Sequence, residues 1–458
     1  MRKLLFFNIL ILYFLNGYAQ QDFTTYYMDA LPQSSYSNLT NSFNGKLFVG
    51  LPALSSTYAM YSNNSFAWSD VIEKRNDSLI LGFPRLIDNL NEKNYMSIVA
   101  QTDILSFGIR IGKRSTLLFN VTEKASVKFL YPRDLIQFID QGNSGFNDNT
   151  ANFEGLGVNF THYREYGIGL NRSFKDDQLI LGARIKYLYG MENVDSKKTD
   201  ISIFTDPNTY EINAKGDIRY NTSGLNDSIG DVGSYLFGKN NHGLGIDLSG
   251  SYKINDKLTI NASLIDLGFI RWKDDVKNYV NNGGEFNFTG IDIDEFILNE
   301  TDSLGNTSFD RVIDSLGEAF ELEEEFGSYT SGLPARVYIG GTYQVTKKGM
   351  VGGLIQTEFF KNKINPSLTL SYNHKFSNLF HASASYTVIN NSFNNLGGGI
   401  IFHPGPIQLY VVADNILGAF QPQNARHLQL RAGINIVVGK NKLDQEKSSK
   451  NKKKAEKE

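Results

Sequence analysis

The chain has 458 residues, of which 41% are hydrophobic, 20% charged and 13% aromatic, with no cysteine and a formal net charge of −3. Beyond the N-terminus no run reaches the roughly 18 apolar residues that a membrane helix needs, and without cysteine neither a disulfide scaffold nor a Cys-ligated zinc site can be built. A membrane protein made of strands stays open, because its apolar residues are spread over every second position.

Arg2 and Lys3 open the chain, Leu4 to Leu15 form a short apolar core, and Gly17-Tyr18-Ala19 offers small residues for cleavage. Residues 1–19 therefore read as a signal peptide, with the mature chain starting at Gln20. No cysteine follows the cleavage site, which excludes a lipoprotein. The protein is expected to be exported.

From Leu47 to Val438 two-residue alternation recurs, the period of a strand with two unlike faces. In 179–190 it is cleanest. Leu179, Leu181, Ala183, Ile185, Tyr187 and Tyr189 share one face; Gly182, Arg184, Lys186 and Leu188 lie on the other. The same pattern returns in segments beginning near Leu244, Leu258, Arg336, Ser367, Phe380 and Leu428. Each is close to the roughly 9–11 residues of a tilted strand that crosses a bilayer.

Short polar turns are expected near 112–114, 175–177, 255–256, 346–348, 376–378 and 403–405. Between them lie connections of unequal length, at about 63–94, 127–153, 191–242, 273–333, 361–365, 391–395 and 416–427. Six turns alternating with seven other connections make fourteen strands, with both ends of the barrel on the short-turn side. Outer-membrane barrels keep that side in the periplasm, and an even count suits closure, which removes sheet edges from lipid. The fold class is thus all-β, a transmembrane antiparallel barrel over 46–439, in the cell outer membrane with lipid around it and both mature termini periplasmic.

Two long connections carry helical signals. Pro132 to Ile139 places Leu135, Phe138 and Ile139 on one face, and a segment from Pro84 does the same with Leu86, Ile87 and Leu90. Such faces either cap the barrel mouth or offer an outer apolar landing surface to a lipophilic ligand. A third helix is expected over 310–325, inside an acidic stretch: 291–325 has twelve Asp or Glu against the single Arg311. No twelve-residue calcium loop can be read there, so a solvated surface is expected and no metal site. The tail, 440–458, holds eight lysines without an apolar period and reads as disordered.

Several phrases carry a family resemblance: Pro32-Gln33-Ser34-Ser35-Tyr36, Val49-Gly50-Leu51-Pro52, Tyr163-Arg164-Glu165-Tyr166-Gly167, Asp266-Leu267-Gly268-Phe269-Ile270-Arg271-Trp272, Gln408-Leu409-Tyr410 and Asp414-Asn415. With them the chain resembles the FadL-like barrels, the long-chain fatty-acid transporters, and more closely a family of unknown function found in Bacteroidetes. The resemblance implies an N-terminal hatch, here 20–45, folded into the lumen, and a hydrophobic route through the barrel. The Asn-Pro-Ala phrase usual in that hatch corresponds to Asn38-Leu39-Thr40, so Asn38 alone is kept.

Two functions are compatible with this reading. One is passive passage or binding of a hydrophobic or amphipathic small molecule, with Glu165, Arg184, Lys186, Asp247, Asp266, Arg336 and Glu358 as candidate lumen groups. The other is a non-transporting barrel that anchors or escorts a protein partner, using the acidic loop and the lysine-rich tail as handles. Inward charges also form mutually satisfied ladders with no ligand at all. An enzyme is not expected: the histidines show no HExxH spacing, the imaginable His381–Ser383 pair has no nucleophile elbow, and no cofactor or nucleic acid is implied. Gly397-Gly398-Gly399 lacks the lysine of a phosphate loop and reads as room for bending or close packing.

Asp266 poses a register problem. Regular alternation from Leu264 would aim it at lipid, where a charge costs up to about 2–4 kcal/mol. A bulge near Gly268 that turns Asp266 inward, or a position at the barrel rim, resolves this, with Trp272 expected in the interfacial belt.

Overall fold

The computed structural model describes residues 22–439, apart from 42, 76–77, 147, 149, 209–211, 226–237, 282, 288–319, 321, 362 and 390–391. Fourteen antiparallel strands close into one barrel. They are β1 (Leu47–Gly50, resumed at Thr57–Asn63), β2 (Lys93–Ile111), β3 (Ser115–Pro132), β4 (Gly157–Phe174), β5 (Leu179–Thr205), β6 (His242–Lys253) and β7 (Leu258–Trp272). The circuit continues with β8 (Ala335–Gln344), β9 (Gly349–Phe360), β10 (Lys363–Lys375), β11 (Phe380–Ile389), β12 (Ser392–Phe402), β13 (Ile407–Ala413) and β14 (His427–Val438). β14 pairs with β1 from Leu47↔Val438 to Ser62↔His427, and β1 pairs with β2, so no edge is left in the wall. The six short turns fall where the alternation breaks at Gly, Asp, Asn and Lys, and both ends of the barrel lie on that side.

The wall is inside-out relative to a soluble protein. Ile185, Leu244, Ile339 and Leu370 are among many large apolar side chains exposed on the outer face, while Arg184, Lys186, Asp247 and Arg336 are buried. An apolar exterior around a polar interior fits a lipid-facing wall, and no helix among the described residues is long and apolar enough to cross a membrane. Tyr189 keeps the outward face of Tyr187 but is buried there, beside His242, and its hydroxyl accepts the Lys239 amide at 2.7 Å.

The long connections differ from expectation because strands run on past the lipid. β3 continues to Pro132 and β5 to Thr205, where segments were expected to loop from 127 and 191. The overhang of β5 pairs with Ile212–Ser223 and Thr150–Asn152, and Ile212–Ser223 in turn pairs with Val276–Val280 and Gly284–Asn287. One face of this outer sheet packs Ala151, Ile201, Ile203, Ala214, Ile218 and Tyr220 into a small core. Above the lipid only one face must be apolar, and the exposed face of Lys198, Asp200 and Asp217 made the segment read as loop.

Among the described residues four α-helices sit at this long-loop end: α1 (Trp68–Val71), α2 (Phe83–Asn89), α3 (Arg133–Gln141) and α4 (Ile416–Phe420). The apolar faces expected of α2 and α3 exist, but they do not form an open landing surface. Leu86, Ile87 and Leu90 are buried, with Leu86 and Leu90 packed among Phe66, Val71 and Tyr131. Leu135 and Phe138 pack against the outer core, Phe138 edge-on to Phe153 at 5.5 Å, and Ile139 is half-buried. The helices cap. Of the helix expected over 310–325, residues 310–319 and 321 lie outside the described residues, and Glu323–Glu325 is a strand instead.

Candidate functional site: the plugged lumen

Residues 22–41 and 43–45 fill the middle of the barrel. Two single turns, Thr25–Tyr27 and Pro32–Tyr36, keep the segment compact, and almost all its side chains are buried. The inner wall is carved to receive it. A Cβ on Gly182 would stand 2.7 Å from Leu39, and one on Gly399 2.7 Å from the Met28 sulfur, so the glycine run of β12 serves close packing. Polar groups complete the fit. Tyr26 stacks on Tyr338 at 5.1 Å, the Tyr27 hydroxyl donates to the Gly353 carbonyl at 2.8 Å, and Gln33 bonds Asn435 at 2.9 Å. Asn38 shapes the plug itself: its Oδ1 accepts the Thr40 amide at 3.1 Å and the Thr40 hydroxyl at 2.6 Å, an Asx turn.

Charges meet at the height of Tyr36. Lys186 Nζ lies 2.7 Å from Asp247 Oδ1, 2.5 Å from Asp266 Oδ1 and 3.5 Å from Glu165 Oε2. Lys124 pairs with Glu165 at 2.7 Å, Arg336 pairs with Asp266, and Arg184 stands 3.5 Å from Asp247. The plug joins through Asp22, 3.0 Å from Arg431, and through the Tyr36 hydroxyl, which donates to Asp103 at 2.6 Å. Burial, with the Asp103 carboxylate beside it, pushes the Tyr36 phenol well above its usual value, so it remains a donor. The guanidinium of Arg184 sits 5.2 Å from the centre of the Tyr36 ring, and that of Arg431 sits 5.9 Å away. Five carboxylates (Asp22, Asp103, Glu165, Asp247, Asp266) thus face five cations (Lys124, Arg184, Lys186, Arg336, Arg431), all within a low-dielectric interior where an unmatched charge would be costly.

A bulge aims the central acid. Between Ile246 and Leu248 the β6–β7 register slips, so Ile265 and Asp266 together oppose Asp247. Asp266 adopts φ 59°, a left-handed conformation that Asp tolerates, and its amide donates to Asp247 Oδ1 at 2.8 Å. The inward turn was expected, but the bulge lies at Asp266 rather than near Gly268. It also overturns the rim position and the place expected for Trp272. After the extra residue, Ile270 and Trp272 point inward, and Trp272 is fully buried with its indole N–H donating to Ser331 at 2.8 Å.

Of the seven lumen residues expected from sequence, Glu165, Arg184, Lys186, Asp247, Asp266 and Arg336 come together here. Glu358 stands apart, 3.1 Å from Lys128 on the long-loop side. Asp22, Tyr36, Asp103, Lys124 and Arg431 were not singled out. Asn120, Thr122 and Lys124 at every second position mark an inward face, and Arg431 lies opposite the apolar face of β14, so both had a legible signal. Nothing local marks Asp22.

Above this cluster lies a chamber of about 90 Å³, lined by the apolar Met60, Val99, Leu333 and Phe360 and by the charged Lys124, Lys128, Asp266, Arg336 and Glu358, with Lys128 Nζ 4.1 Å from the centre of the Phe360 ring. Below it a second cavity, of about 10 Å³, is lined by Asp22, Tyr36, Glu165, Arg184 and Lys186. Lys124 and Arg336 line both. Among the described residues no group of three His, Asp or Glu has metal-binding geometry.

Among solved structures the chain is similar to the Pseudomonas putida toluene transporter TodX (9% identity, 92% of this chain and 98% of that one, TM-score 0.40). It is also similar to a Pseudomonas aeruginosa FadL homologue (9%, 92% and 97%, TM-score 0.40). A third likeness is to the Ralstonia pickettii toluene transporter TbuX (11%, 86% and 90%, TM-score 0.39). No curated protein matches the sequence. One family model does match, over residues 41–414: the chain belongs to a family of unknown function, DUF5723.

Proposed function

We propose that the protein is an outer-membrane barrel that binds a small hydrophobic or amphipathic molecule in its lumen and passes it when the plug is released. The short-turn end would face the periplasm, where the signal peptide is removed ahead of Gln20. The observation that carries the reading is the shared wall: Lys124 and Arg336 line the chamber and also the cavity that Asp22 and Tyr36 of the plug line from below. A ligand that draws these cations upward weakens the cluster holding the plug, so occupancy and opening are coupled. The half-apolar, half-ionic chamber suits an amphipathic guest. The lumen candidates named from sequence would act here, Glu358 and Lys128 in the upper wall and the remainder in the floor.

Swelling of proteoliposomes in short-chain amphipathic solutes tests this. Flux should rise in Asp22→Asn, whose plug loses its ion pair with Arg431. No flux from either protein, with stable co-purification of another protein, would favour the second reading, a barrel that anchors a partner. The completeness of the plug supports that alternative, with the acidic stretch 291–325 and the tail 440–458 as its proposed handles.

A further inference from the structure

We propose that the short-turn mouth of the barrel holds a second binding site, for the anionic headgroup, carboxylate or phosphate, of a small amphipathic molecule. A cavity of about 240 Å³ opens there between the plug and β8–β12. Its lining includes the apolar Tyr27, Met28, Met350 and Ile401 and the basic Lys347, Lys348, Lys375 and His381. Asp29 is the one acid in its lining among the described residues. Lys348 donates to the Phe376 carbonyl at 3.1 Å, and among the described residues Lys347 and Lys375 have no carboxylate in ion-pair contact, although Asp29 is near enough to feel the charge of Lys375.

An independent observation points the same way. Ser383 is only 7% exposed, yet its hydroxyl has no hydrogen-bond partner, and neither has Oδ1 of Asn373 directly across the β10–β11 pair. Both line the cavity. A buried hydroxyl without a partner carries a desolvation cost that a bound acceptor removes. The Ser383 O–H can donate to a headgroup oxygen. A half-turn of the Asn373 amide lets Ser371 donate to Oδ1 and frees Nδ2 as a second donor. Two neutral donors at the back and three ammonium groups at the rim form a receptor for an oxyanion, and the methionines of the lining take a short alkyl chain. This site lies at the opposite end from the upper chamber and stands whether or not the barrel conducts.

The test is equilibrium binding of dodecanoate, dodecyl phosphate and dodecanol to the full chain in a non-ionic detergent. Either anionic probe should bind at least about tenfold more tightly than dodecanol, with inorganic phosphate competing, as charge-assisted hydrogen bonds require. Dodecanoate and dodecyl phosphate, compared directly, tell a carboxylate site from a phosphate site. In the Lys347→Gln/Lys375→Gln double variant the preference should fall about tenfold with dodecanol unchanged, and in Ser383→Ala it should fall severalfold. Both lysines are exposed, so an unaltered heat-dependent shift on electrophoresis is expected and certifies the fold. Equal affinity for dodecanol and the anions, or an anion preference that survives both variants, overturns the proposal.

Discussion

Lysines line this lumen at two heights, and their surroundings differ in kind. At mid-barrel Lys186 has three carboxylates within 3.5 Å and is 1% exposed; at the short-turn mouth Lys347 and Lys375 are exposed and make no ion pair among the described residues. Five acids against five bases make a lock, since taking so many charges out of water is tolerable only when each is matched. An excess of cations at a wet opening costs little and keeps its field for something that arrives later. The same residue type inside the same barrel is structural in one place and available in the other, and the counter-charges decide which.

The largest expected effect is at the lock. Lys186→Met leaves Asp247 and Asp266 short of a partner and should destabilise the barrel by about 3–5 kcal/mol, read as a lower denaturant midpoint. A variant as stable as the parent would mean that the cluster is solvated rather than closed. One position earlier the chain faces the other way: Ile185→Arg puts a cation on the lipid side, where Ile185 is 66% exposed, and should cost about 2–4 kcal/mol in a bilayer if it lies at the midplane. Tolerance of that change would break the assignment of the two faces of β5. Asp22→Asn weakens the plug by about 1.5–3 kcal/mol, the range of a hydrogen bond to a charged group, and protease accessibility of 22–45 measures it. Asn38→Ala removes two bonds within the plug and should cost about 1 kcal/mol in the same assay. Smallest of all, Lys347→Gln at the mouth should change stability by less than about 0.5 kcal/mol, and a large loss there would erase the contrast with Lys186.

Much of this was legible in the residues. The Leu179-to-Gly190 alternation names its lipid and lumen faces outright, because in a membrane wall one face must be apolar and the period of two is rigid. The six tight turns are likewise local chemistry. Overhangs beyond the lipid were not legible, since a strand such as 191–205 that is wet on one face carries polar residues at the density of a loop. Trp272 shows the other limit: a single added residue upstream, at the Asp266 bulge, reverses every later side chain, and only pairing with β6 reveals it.

By itself, then, the sequence determined the barrel, its strand count and the inward face of its regular strands, because these follow from periodicity and turn chemistry within a few residues. The tertiary structure alone decided which charges meet. Asp22 and Arg431 are 409 positions apart and become partners only because the N-terminal segment folds back through the lumen. The matching of the lysines at mid-barrel and their mismatch at the mouth are properties of that fold, since a charge is paired or free according to what stands within a few ångströms of it, whatever its place in the chain.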